Sequence, residues 1–138
     1  MSKKKMIPEA DWKWFGMAAH FICGSWCRFH MATQVGDFLV STVGLYVHPM
    51  RSKGHEQTEA LWLAKNPNGD EIGPDRYYET MVFKAGKPCE AKGCGCGLPG
   101  TASSELDFAG YKDMKAATIG HRMMCLKVAM GNVKVTKQ

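Results

Sequence analysis

The residues of this chain with the most chemical reach are its six cysteines, each close in sequence to a histidine or to another cysteine. A first group runs His20-x2-Cys23-x3-Cys27-x2-His30, within HFICGSWCRFH, and a second runs Cys89-x4-Cys94-x-Cys96, within KPCEAKGCGCGLP. His121 and Cys125 follow, one helical turn apart. Thiolate and imidazole are the ligands zinc prefers, and glycines between them let the chain turn tightly enough to aim two side chains at one ion. Cys89, Cys94 and Cys96 supply three ligands and need a fourth, for which His121, Cys125, Cys27 and His30 are the candidates. The front group can close a Cys2His2 site alone, with Cys23, Cys27 and His30 ranked above His20, or it can share an ion with the second group. The expected zinc is structural, because thiolate-rich sites are closed while a catalytic zinc keeps one coordination position open.

Catalytic patterns are incomplete. Pro88-Cys89 has the start of a zinc-deaminase motif, but the C-x2-C spacing is missing and the only adjacent His–Glu pair, His55-Glu56, is not H-x-E. Cys23 with His20 or His30 offers a Cys–His pair, yet no acidic residue stands out to orient it, and a metal would consume the same thiolate. Glu79, within RYYETMVF and flanked by Arg76, Tyr77 and Tyr78, could line a nucleotide pocket or act as a base. Strand alternation favours a plainer reading, with Glu79 on a solvated face opposite Tyr78 and Thr80. Ser41-Thr42 is read the same way, as a polar face.

A chain of 138 residues is most simply one domain and can bury roughly two-thirds of its unfolded surface. The formal charge of +5 comes largely from Lys3, Lys4, Lys5, Lys134 and Lys137 near the ends, so the body demands no nucleic-acid stripe. Ten methionines read mainly as filler of irregular core gaps. No stretch of apolar residues is long enough for a membrane span, and Asp11, Lys13 and His20 interrupt any signal-peptide pattern. A cytosolic setting is expected, in which reduced cysteines favour metal over disulfide; secretion would instead pair them in bridges.

These groups need elements to position them. Residues 1–7 read as a disordered basic lead, 8–132 as the domain and 133–138 as a loose tail. Pro8-Glu9-Ala10-Asp11 can open a helix that aligns Trp12, Phe15 and Ala19, although His20 to Ile22 can also begin a strand. Phe29 to Val35 and Phe38 to Val47 alternate around Gly36-Asp37 and predict a hairpin in which Val35 faces Phe38 and Met31 faces Thr42. Glu56 to Lys65 predicts a short helix, stopped by Asn66-Pro67-Asn68-Gly69, and Arg76 to Phe83 another strand. Gly93 to Ser104 reads as loop and Ser104 to Asp107 as one helical turn. Lys112 to Met130 predicts a helix whose apolar stripe holds Met114, Ala117, His121, Met124 or Cys125, and Val128. The expected fold class is α+β, a small antiparallel β-sheet with the C-terminal helix packed on it and loops tied by zinc.

HFICGSWCRFH, VGDFLVSTVGLY, YYETMVFKAGKPC and the CGCGLP loop together resemble a family of small proteins encoded by bacteriophages and prophages. The resemblance spans about Ala18 to Ala129, and the chain is shorter than that family between Tyr46 and Gly73. It implies a viral protein in the host cell cytosol, and assigns no activity. Small phage proteins are often inhibitors or modifiers of host machinery, including anti-defence proteins, so the leading expectation is a zinc-binding accessory protein that binds a host protein and inhibits or modulates it. A second expectation is a nucleic-acid or small-nucleotide binder using Arg51, Ser52 and Lys53 with Arg76, Tyr77, Tyr78 and Glu79. A third is a small enzyme using Cys23, His30 or Glu79.

Overall fold

The structure, a computed structural model, describes residues 6–16, 27–47, 56–88 and 98–133. In chain order the elements are a 3-10 turn (Glu9–Asp11), strands β1 (Lys13–Gly16), β2 (Cys27–Val35) and β3 (Phe38–Tyr46), helix α1 (Glu56–Lys65), strands β4 (Tyr78–Pro88), β5 (Pro99–Thr101) and β6 (Asp107–Tyr111), and helix α2 (Met114–Ala129). β2 and β3 form the expected hairpin. Gly36 takes φ +60° in the two-residue turn, a conformation β-branched and bulky residues avoid. The register pairs Val35 with Phe38 and Met31 with Thr42, as the alternation predicts. α1 also has its predicted bounds.

The sheet is wholly antiparallel and has six strands where the sequence suggested three. Its order is β1-β2-β3-β4, and the outer edge of β4 is shared. β6 pairs with the Tyr78–Val82 half, and β5 with the half from Ala85 to Pro88. Three expectations are corrected here. The front segment makes only the 3-10 turn, and Lys13–Gly16 then extends to pair with β2 at Gln34, Thr33 and Ala32. The helical turn expected at Ser104–Asp107 is instead the lead into β6, and β5 lies in the expected loop. In each case a short segment satisfies backbone groups of a long strand's edge, a tertiary demand that outweighs weak local propensity.

α2 begins at Asp113, whose carboxylate accepts a hydrogen bond from the Ala116 amide at 2.8 Å, and is followed by Gly131 at φ +74°. Its inner face, Ala117, His121, Met124, Cys125, Val128 and Ala129, is buried, in part on Val35, Val40 and Val82 of the sheet. Met114, expected in this stripe, is exposed. Tyr111 packs so closely on α2 that a Cβ at Gly120 would lie 2.1 Å from its ring. The opposite face of the sheet is buried as well. Ala32 and Leu39 pack with Phe15, Ala85 and Leu98, while Val43, Met81 and Phe83 pack with Cys27 and Tyr46.

Candidate functional site

Strand alternation puts Thr33, Thr42 and Thr80 on the α2-facing side of three adjacent strands, with Thr42 directly opposite Thr80. His121, one turn beyond Ala117 in the buried stripe of α2, enters the middle of this group. Thr33 Oγ1 lies 2.8 Å from His121 Nε2, His121 Nδ1 lies 2.6 Å from Thr42 Oγ1, and Thr42 Oγ1 lies 2.6 Å from Thr80 Oγ1. A neutral imidazole has one donor and one acceptor, so its tautomer sets the direction of this chain. With the proton on Nδ1, His121 donates to Thr42 and Thr33 donates to Nε2; the other tautomer reverses both bonds. At 3% exposure the ring is desolvated, and burial pushes its pKa down to about 4. Cys125, one turn further on, is buried too, and burial pushes its thiol up to about 11, opposed by hydrogen bonding to Thr33. Burial likewise raises the pKa of the Tyr111 hydroxyl, with hydrogen bonding to Thr80 working against it.

At neutral pH this interior therefore carries a neutral imidazole and a protonated thiol, with no formal charge. It is not an activated Cys–His pair, because nucleophilic attack needs the thiolate. Two cavities flank the network. One, of about 360 Å³, has Thr33, His121 and Cys125 in its lining together with Trp12 and Trp14. Trp14 stands nearly perpendicular to His121, at 81° and 6.0 Å between ring centroids. At the same cavity Arg122 donates to both Glu9 carboxylate oxygens at 2.6 and 2.9 Å, and that pairing lowers the Glu9 pKa. The other cavity, about 420 Å³, lies between β6 and α2 and is lined by Tyr111, Gly120, Met123, Met124 and Met130 among others.

The opposite face of the sheet presents a different set. His30 and Glu79 both pair in register with Val43, one from β2 and one from β4, and Glu79 also pairs with Gly110 of β6. Arg76 lies over the Phe108 ring, 4.8 Å from its centroid. His30, 6% exposed, has Nε2 against the Cys27 carbonyl oxygen, while its Nδ1 and the Arg76 Nε are buried without a hydrogen-bond partner among the described residues. Burial lowers the His30 pKa. Glu79 is half-buried; burial raises its pKa, the Arg76 charge opposes this and Glu105 adds to it. Glu79 does lie opposite Tyr78 and Thr80, as alternation requires, but on a covered face rather than a solvated one.

Of the expected metal ligands, Cys23, Cys89, Cys94 and Cys96 lie outside the described residues, as do His20 and the basic Arg51, Ser52 and Lys53. Cys27 is disulfide-bonded, and in that form its sulfur is not the thiolate a metal requires. His121 has both of its nitrogens on threonine hydroxyls. His30 is the described ligand candidate with a spare nitrogen. Among the described residues no group of three or more His, Cys, Asp or Glu side chains is placed to hold an ion. Tyr78, expected on a binding surface, is 0% exposed and packs edge-on against Phe29 at 5.4 Å. Arg76 and Tyr77 are partly exposed. The sequence reading gave Thr42 and Thr80 no role beyond that of strand residues, and did not single out Thr33 or Trp14. Ser41 and Thr42, read as a polar face, alternate to opposite sides of the sheet and are both buried. The usable signal was one threonine on the core-facing set of each of three strands, answered by one histidine in a helical stripe.

No protein-family model, curated protein or solved structure matches the chain.

Proposed function

We propose that the chain acts by binding, as a non-enzymatic accessory protein of the bacteriophage type it resembles, engaging a host protein in the cytosol and inhibiting or modulating it. The observation that carries this reading is the outer face of α2, where Ile119, Met123 and Met130 are 57%, 60% and 45% exposed. Met123 and Met130 also border the cavity against β6. Methionine is flexible and polarizable and adapts to a partner's shape, and exposed apolar clusters of this kind mark interaction surfaces. Among the described residues lining that cavity the one charged side chain, Lys127, is paired with Asp107 at 2.6 Å, so an apolar segment of the partner suits it best. The test is capture from host lysate followed by titration. A host protein held by the wild type should be lost by the Ile119→Asp, Met123→Asp double variant, and its activity should be blocked near one-to-one stoichiometry. Complete effect at about one-hundredth of the target concentration would replace binding with catalysis.

Structural zinc belongs to the same proposal. Its ligands would be drawn from Cys23, Cys89, Cys94 and Cys96, with His30 offering its unpaired Nδ1 as an imidazole ligand. Zinc at such a site would contribute on the order of 10 kcal/mol to folding. Metal analysis of the reduced protein checks it: zinc should co-purify and be weakened by His30→Ala, and a reduced, folded, zinc-free chain would end this part of the reading.

A further inference from the structure

We infer that the cavity between β1 and α2 is a binding site for an uncharged heteroaromatic ring of nucleobase size, presented as a base or nucleoside. Its volume of about 360 Å³ falls in the range of small-molecule sites. Trp12 and Trp14, two residues apart, both line it. Trp12 is anchored, its indole N–H donating to the Ile7 carbonyl at 3.2 Å and its ring packed on the core. Trp14 is 58% exposed on a four-residue edge strand, so a ring that stacks on it removes a large apolar surface from water. Base–indole stacking has this character and is indifferent to the identity of the base.

Polar recognition comes from Thr33. Its hydroxyl can make one donated and two accepted hydrogen bonds, of which His121 Nε2 and the Cys125 thiol engage two and leave one open. Because the His121 tautomer sets the sense of the Nε2 bond, Thr33 can meet either a donor or an acceptor on the ring edge. Charge selects the form of the ligand. Imidazole and thiol are neutral, and at the same cavity the Arg122 guanidinium is already bidentate on Glu9. Among the described residues an anionic or cationic ligand finds no unpaired counter-charge here, so a nucleoside is favoured over its phosphate. Among the described residues of the cavity the one thiol, Cys125, is protonated, so the site is inferred to hold its ligand without reacting with it.

Calorimetric titration of the full chain with adenosine, guanosine, cytidine and uridine, paired with amide and indole N–H shifts, tests this inference. At least one nucleoside should bind saturably and shift the Trp14 indole resonance. Trp14→Ala should weaken binding about tenfold or more, and Trp14→Phe should restore most of it. Thr33→Ser should bind like the wild type. Each variant's melting curve establishes that it is folded. Absence of saturable binding by all four nucleosides would overturn the inference. So would equal affinity in folded Trp14→Ala, tighter binding of the monophosphate than of its nucleoside, or preference for a neutral monosaccharide. Trp14 is remote in sequence from Ile119 and Met123, so partner capture by the Trp14→Ala chain separates failure here from failure of the protein-binding reading.

Discussion

On the α2 side of the sheet both nitrogens of His121 meet a hydroxyl, and those hydroxyls are continued by Thr80 and Cys125. On the other side His30 keeps an unpaired buried Nδ1, Arg76 an unpaired Nε, and Glu79 is pushed towards its protonated form by burial. The first arrangement needs nothing further, and a satisfied buried network fixes one packing of helix on sheet. The second carries polar valence that the described residues leave unfilled, which is the usual mark of an ion, a ligand or a strained functional group. Recruitment of an ion is therefore to be sought around His30, while His121 ties helix to sheet and sets the sense of the Thr33 bond at its cavity.

Acid offers the largest contrast. His121 titrates at about 4 in the folded chain against an ordinary value of 6.5, so the unfolded chain binds its proton first as pH falls. The resulting stability is fully present above pH 6.5 and is lost progressively towards pH 4, by roughly 3 kcal/mol. His30, also lowered by burial, acts in the same direction. Urea unfolding at several pH values should show this slope, and His121→Gln should flatten it more than His30→Gln does.

Next comes Thr42→Val, which deprives both His121 Nδ1 and Thr80 of a partner and should cost about 1–3 kcal/mol in denaturant melts. Adding Thr80→Val removes one orphaned hydroxyl, so the double variant should be less destabilised than the two single effects summed. The smallest effect belongs to the other face. A raised carboxyl pKa means that ionisation of Glu79 opposes folding, with its stabilising contribution present below the unfolded value and lost as pH rises through the folded one. Glu79→Gln should therefore leave thermal stability at neutral pH within about 0.5 kcal/mol of wild type, on the stabilising side.

The β2–β3 hairpin and both helices were legible in the sequence because their signals are local: alternation around Gly36-Asp37, a 3.6-residue stripe, and stops at Asn66 and Gly131. β1, β5 and β6 were not, because a strand of three to five residues is specified by the edge it covers rather than by its own composition. Tyr78 shows the same limit at one side chain. Its neighbours Arg76, Tyr77 and Glu79 read as a surface, yet the absence of a side chain at Gly44, where a Cβ would meet the Tyr78 ring at 2.0 Å, lets the ring sink into the core. The threonine network was invisible for a related reason. Each threonine alone looks like a polar strand residue, and only register and helix docking bring the three hydroxyls to one imidazole.

That closure has a kinetic side. The bonds from Thr33 and Thr42 to His121 join residues 88 and 79 positions apart, and the Ile7 amide reaches across to the Ala129 carbonyl at 3.0 Å. Bringing such distant segments together carries ~4 kcal/mol of loop-closure entropy from chain length alone. The two-residue turn lets β2 and β3 meet through local contacts, but their inward hydroxyls have no imidazole until α2, the last described element in chain order, packs on them. Without α2 those buried hydroxyls would be left for water to satisfy beside the apolar residues of the same sheet face. Docking of α2 is thus the contact that gives these hydroxyls their imidazole and closes the longest loops of the described fold.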